Sequence, residues 1–197
     1  MRKVIDKFDN IFYYNEKGDP HREDGPAVEY VDGRKAWYKN GLCYKVFTKF
    51  GTILYYNEKG QFHRKDGPAR EFANGDKYWH KNGLLHREDG PAIEFANGTK
   101  YWYKNGMYHR EGGPAIEYEF GDKHWYKNGK FHREDGPAKE YANGDKYWYK
   151  NGLCHREDGP AIESSDGDKR YLYNDIEYSE IETDEEWTRF IKLIIFN

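Results

Sequence analysis

The chain has 197 residues, and its 32 Lys+Arg nearly cancel 35 Asp+Glu to leave a net charge of −3, which withholds the basic footprint that phosphate-backbone binding needs. Only 33 residues are Leu, Ile, Val or Phe, whereas 18 % are aromatic, with 19 Tyr and 6 Trp. That balance excludes a helical globule around an aliphatic core and, at so small a net charge, also disorder; aromatic-faced β-structure with many turns fits.

In chain order, the first element is a short unit around residues 10–20, marked by Phe12-Tyr-Tyr-Asn-Glu-Lys-Gly18. A full unit runs from His21 to Cys43, and a shortened one of 19 residues from Tyr44 to Phe62, whose Leu54-Tyr-Tyr-Asn-Glu-Lys-Gly60 echoes the first segment. Then His63, His86, His109, His132 and His155 recur every 23 residues. Each opens a copy of one pattern, clearest from His86 to Tyr108. Self-similarity at a fixed period is the signature of a repeat architecture.

Each unit reads as a β-meander. Ala92–Ala96 is a strand, Asn97-Gly98 a turn, Lys100–Lys104 the return strand, and Asn105-Gly106 a second turn into Met107–Arg110. Asn-Gly between such segments is the strongest short hairpin signal, because a two-residue turn needs positive φ at both positions. Asp-Gly-Pro, with Gly112 replacing the Asp once, punctuates the strands, since Pro cannot donate to a ladder. With both turns read as two-residue loops, Phe95 opposes Lys100, Ile93 opposes Trp102 and Trp102 opposes His109. One face then carries Ile93, Phe95, Trp102, Met107 and His109, and the other Glu94, Tyr101, Tyr103, Tyr108 and Arg110. Down the array, Trp37, Trp79, Trp102, Trp125 and Trp148 form a structural column that ends in Tyr171. The recurring histidines form another, and Glu29 to Glu163 and Arg22 to Arg156 form two more.

The units resemble the MORN repeat, through Tyr103-Lys-Asn-Gly106 and Ala96-Asn-Gly98, with Arg-Glu-Asp-Gly-Pro-Ala standing where that family carries Gly-x-Gly. The variant is similar to repeats of large-virus and bacteriophage proteins and, more distantly, of bacterial antitoxins. The resemblance implies a single twisted sheet or solenoid of hairpins. It also implies a viral or phage protein that modulates a host factor in the host cytoplasm. The resemblance covers residues 10 to 178. The expected fold is therefore all-β: an elongated antiparallel β-hairpin repeat array over residues 1–178, followed by a capping segment over 179–197. In that segment Thr183 and Glu186 form a capping box, and Trp187, Phe190, Ile191 and Ile194 make the apolar stripe of a helix over about 184–195. The competing reading of this helix is a dimerisation or partner helix.

The chemistry-bearing residues read as packing. Units spaced roughly 9–10 Å apart hold equivalent histidines too far from one another to share a zinc ion. A catalytic site is one unique constellation, and every residue of this motif is repeated. No catalytic, cofactor-binding or metal-binding residue is assigned, and no cofactor is expected. Cys43 and Cys154 occupy one unit position, roughly 45 Å apart at that spacing, too far for a disulfide. No segment is apolar enough to span a membrane, lysines matched by acids argue against lipid binding, and Met1–Asn10 lacks a secretory core. The chain reads as cytoplasmic.

The expected function is a non-catalytic module that binds another protein through a Tyr/Trp-rich surface. Its candidate partner-binding residues are where the pattern breaks or where Tyr recurs. They are Arg70 and Lys139 for Val or Ile, His80 and His124 for Tyr, Lys130 for Leu or Met, and Glu119-Phe120 for Ala-Asn, with Tyr103, Tyr108, Tyr126 and Tyr149. A strip of the Glu column and Tyr could also recognise a basic partner. The alternatives are a small-molecule or nucleotide sponge, and an oligomeric scaffold assembled through sheet edges or the helix.

Overall fold

The computed structural model describes residues 1–195. Residues 196–197, the end of the expected capping segment, lie outside them. The chain divides into two compact units, Met1–Ala96 and a second from Asn97 onward.

In the first unit nine strands follow one another as antiparallel neighbours: Arg2–Ile5, Ile11–Tyr14, Val28–Glu29, Lys35–Lys39, Leu42–Phe47, Ile53–Tyr55, Arg70–Glu71, Lys77–Tyr78 and Ile93–Glu94. A side hairpin joins His80–Lys81 to Leu84–Leu85. The second unit repeats one recipe. Its ladder runs Lys100–Tyr101, Ile116–Glu117, Lys123–His124, Lys139–Glu140, Lys146–Tyr147, Ile162–Glu163 and Lys169–Arg170. Side hairpins join Tyr103–Lys104 to Met107–Tyr108, Tyr126–Lys127 to Lys130–Phe131, Tyr149–Lys150 to Leu153–Cys154, and Leu172–Tyr173 to Ile176–Glu177. The fold is thus an all-β hairpin array with a C-terminal helix.

The two Asn-Gly turns of a repeat differ, and this corrects the pairing read from sequence. At the side-hairpin tip both residues take positive φ, 52° at Asn105 and 81° at Gly106, so the loop has two residues as expected. At the other turn only the glycine does, as at Gly144 with φ 101°. The N–H of Tyr141 donates to the Asp145 carbonyl at 3.0 Å and that of Gly144 to the Tyr141 carbonyl at 2.9 Å, closing a three-residue loop. The extra residue shifts the ladder by one. Ile116 faces His124 and Glu117 faces Lys123, and Ile162 faces Arg170, so the isoleucine column opposes the position before Trp, not Trp itself. The expected pairs Ile93–Trp102 and Phe95–Lys100 therefore fail in every equivalent copy that lies within one unit. In the second unit each ladder Glu sits between two lysines instead, Glu117 between Lys100 and Lys123 and Glu140 between Lys123 and Lys146.

Burial is spread along the repeats. The alanine after each proline, such as Ala69, Ala92, Ala115, Ala138 and Ala161, has no exposed surface, and Ile93, Ile116 and Ile162 are buried beside it. The Trp amide N–H donates to the buried alanine carbonyl one repeat on, Trp125 to Ala138 at 2.7 Å and Trp148 to Ala161 at 2.8 Å. At the C-terminus the helix Asp184–Ile195 begins in the expected capping box: Glu186 N–H donates to Thr183 Oγ1, and Thr183 N–H to Glu186 Oε2, both at 3.2 Å. Its buried Trp187 packs on Tyr171 and Tyr178 and donates from Nε1 to the Arg156 carbonyl at 3.2 Å, sealing the last hairpin.

Candidate functional site

The segment of the His-Arg-Glu-Asp-Gly-Pro-Ala type builds a clamp around four tryptophans, Trp79, Trp102, Trp125 and Trp148. Arg133 lays its guanidinium 4.0 Å from the Trp125 ring centre. Its Nη1 donates to Glu140 at 2.6 Å and to the Pro137 carbonyl at 3.2 Å, and its Nε to Asp135 at 3.1 Å. Arg87 on Trp79, Arg110 on Trp102 and Arg156 on Trp148 repeat the stack at 3.9–4.1 Å. Arg22 and Arg64 instead cover Tyr13 and Tyr55. A Cβ at Gly136 would come within 2.9 Å of the Arg133 Cζ, which is why glycine precedes the proline. The sequence pattern sets Glu and Arg on one face and Trp on the other, whereas the structure stacks each clamp arginine on an indole and pairs it with the ladder Glu. The constant spacing of Trp to Arg and of Arg to Glu carried that signal. The Glu column is thereby consumed inside the protein.

The histidine column ties each loop to a neighbouring hairpin tip. Nδ1 of His63 accepts from the Asn82 N–H at 3.1 Å, and Nδ1 of His109 and His132 from Asn128 and Asn151 at 3.2 and 3.1 Å. The proton then lies on Nε2, facing a loop glutamate such as Glu134, 3.4 Å from His132. Among the described residues no group of three or more His, Cys, Asp or Glu side chains is placed to hold a metal ion.

The recurring tyrosines are brought together. Tyr103, Tyr108, Tyr126, Phe131 and Tyr149 stack in one ladder with centroids 4.1–5.1 Å apart. Burial raises the phenols of Tyr103 and Tyr126 far above their ordinary value and pushes that of Tyr149 up to about 12. Lys139 inserts its ammonium 4.1 Å from the Phe131 centroid and 4.9 Å from that of Tyr149, and this burial lowers its pKa. His124 is buried among Tyr118, Phe131 and Tyr141. Burial, and then the Lys139 charge, hold its imidazole below the usual histidine value. In the first unit Arg70 lies among Phe62, Phe72 and Tyr78, and the buried His80 packs on Phe62. Burial also lowers the His80 pKa, and Arg70 adds to the effect. Nε of Arg70, Nδ1 of His80 and Nε2 of His124 are buried without a hydrogen-bond partner. Arg70, His80, His124 and Lys139 are therefore not the partner-contact positions that the breaks in the repeat pattern suggest. The structure seats them between rings, because their columns face inward once the ladder shifts by one.

Lys130, Glu119 and Phe120 do reach the surface. Phe120 is 61 % exposed and stacks on Tyr118 at 5.2 Å, at the centre of its three-residue turn. Lys130 occupies the position after the two-residue tip, a column otherwise filled by large apolar residues that stay open to solvent: Leu42 and Leu84 in the first unit, Met107, Leu153 and Ile176 in the second. In the second unit the tips adjoin. A Cβ at Gly129 would meet the Met107 side chain at 3.7 Å, and one at Gly152 the Lys130 side chain at 3.6 Å. This tip row was not singled out from sequence, although its period and its side-chain size were visible there.

Two successive grooves also open in the second unit. The first, about 700 Å³, is bounded by the loops of Arg110 and Arg133 with Trp125, Tyr126 and Lys127. The second, about 830 Å³, is bounded by the loops of Arg133 and Arg156 with Trp148, Tyr149 and Lys150. Both cysteines are free thiols, and burial pushes that of Cys154 up to about 11. Among the described residues no helix is long and apolar enough to cross a membrane. Compared with the models of known protein families the chain matches none, and no curated protein matches it.

Proposed function

We propose that this chain is a non-catalytic repeat module that binds another protein along its hairpin tips. The tip row carries the reading. The array has no packing need for Leu, Met or Ile after the tip glycine, yet Met107 is 47 % and Leu153 41 % exposed, with Lys130 between them. A periodic row of exposed large apolar side chains marks an interaction surface. Behind it the tyrosine ladder from Tyr103 to Tyr149 supplies a rigid aromatic support, and rigid aromatics lose little entropy on binding. The non-catalytic reading is supported by how the polar motif is spent. The Arg, His and ladder Glu side chains are engaged within the protein and recur in every full unit.

The partner is a different protein, and the recurrence of one hairpin unit supports the repeat-protein reading. Resemblance to MORN variants is what suggests a host factor and a cytoplasmic setting. Self-association through the first strand, Arg2–Ile5, is disfavoured because its charges guard an exposed edge.

The test is affinity capture with the intact chain and with a variant carrying Met107→Ser and Leu153→Ser, alongside sedimentation of the purified protein. The expected result is a specific protein retained by the parent and lost by the variant, from a chain that sediments as a monomer. Equal recovery by both, or a dimer that the variant dissolves, overturns the reading.

A further inference from the structure

We propose that the two loop-side grooves of the second unit form a docking surface for a polyproline II segment with Lys or Arg at every third residue. This surface is separate from the tip row, and neither proposal depends on the other.

The first observation is charge. The clamp arginines count among the groove residues, but Arg133 and Arg156 are neutralised from within by Glu140 and Glu163 at 2.6 and 2.7 Å. The groove between their loops then presents Glu134, Asp135, Glu157 and Asp158 against one ammonium, that of Lys150. These carboxylates face water, Glu134 with 79 % and Asp135 with 85 % of its side chain exposed. The preceding groove offers Glu111, Glu134 and Asp135 against Lys127. Each groove is therefore net acidic at its mouth although its sequence composition is nearly balanced.

The second observation is shape. Trp148 lines one groove and Trp125 the other, so a basic side chain entering between two loops lays its methylenes against an indole while its head meets carboxylates.

The third observation is spacing. Each repeat adds two strands to the ladder, so equivalent grooves follow one another at about 9.6 Å, twice the distance between neighbouring strands. A polyproline II helix rises about 3.1 Å per residue with three residues per turn, which returns every third side chain to one side at about 9.3 Å. An extended strand has a similar advance over three residues, but alternate third residues point to opposite sides. Of these two extended forms, polyproline II is the one that fills successive grooves from one face.

The experiment is calorimetric titration of the intact chain with a peptide repeating Pro-Pro-Lys, and with a peptide of the same composition whose lysines are contiguous. The periodic peptide is expected to bind at least about tenfold more tightly, because only it engages both grooves at once. Its affinity should fall in a Glu134→Gln, Glu157→Gln variant and stay unchanged in the Met107→Ser, Leu153→Ser variant. Equal affinity for the two peptides overturns the proposal, since charge without register explains it, and so does absence of binding. Either result leaves the tip-row interface standing. Loss of binding in the Met107→Ser, Leu153→Ser variant would place the peptide on the tips and also overturn the groove assignment.

Discussion

A regular repeat of the second unit and the shortened segment of the first solve one problem in two ways. Around Trp125 the ladder strands are only two residues long, Lys123–His124 and Lys139–Glu140, and the Arg133 clamp fastens the loop between them. Around Trp37 the following loop lacks the His-Arg-Glu-Asp-Gly-Pro-Ala segment. The chain runs straight through Leu42–Phe47, which pairs along its length with Lys35–Lys39 and, on its other side, with Ile53–Tyr55. Lys45 alone covers Trp37, 4.5 Å from the ring centre. Where the side-chain clamp is missing, backbone ladder replaces it. The motif is thus the means by which very short strands are held in register.

The largest expected effect follows from cutting the clamp. Arg133→Ala leaves half-buried Glu140 and the Pro137 carbonyl without their donor and should cost about 2–3 kcal/mol in urea unfolding. Lys45→Ala should cost under ~1 kcal/mol, because a cation–π contact without a buried ionic partner is its main loss. Similar losses at the two sites would erase the contrast. Gly136→Ala should cost about 1–2 kcal/mol by displacing the guanidinium, and little once Arg133 is already Ala, since both changes remove the same contacts. Independent, additive losses would show that the glycine serves another purpose.

A gain of about 1 kcal/mol is expected for Lys139→Ile, which restores the repeat's own residue and relieves a half-buried cation. Arg70→Ile makes the same comparison in the first unit, where the Arg70 Nε lacks a partner. A loss at either site would mean that the aromatic cage more than offsets desolvation. The smallest effect is a slope with pH. The folded state holds His124 below its ordinary value of 6.5, so it binds fewer protons than the unfolded chain. Stability should be constant above that pH, fall as the pH drops through about 6.5, and level off below the folded value. His124→Tyr should flatten this slope by the histidine's share, read as urea midpoints between pH 7.5 and pH 5; an unchanged slope would place the titration elsewhere.

Much of this was legible in the sequence. The period, the tip turns and the capping helix follow from spacing, Asn-Gly chemistry and the Thr183/Glu186 pair. The pairing register was not read correctly, because one dipeptide serves two loop lengths. The needed signal was present in Phe50-Gly51 and Phe120-Gly121. A phenylalanine before the glycine does not accept positive φ, so that turn cannot be a two-residue loop of the tip type. Missing it turned the isoleucine and tyrosine columns to the wrong partners and made Arg70, His80, His124 and Lys139 look like surface variation. The stack of Arg on Trp was hidden for another reason. It joins residues eight apart across a loop, and neither strand periodicity nor turn chemistry addresses such a contact.

The claim that the clamp holds each short-stranded repeat is tested most directly by a double-mutant cycle between Trp125→Leu and Arg133→Ala, with stability measured in urea. The account predicts a coupling of at least about 1 kcal/mol, since either change removes the stacked guanidinium contact. A coupling near zero would contradict it, leaving Arg133 and Trp125 as neighbours that stabilise the fold independently.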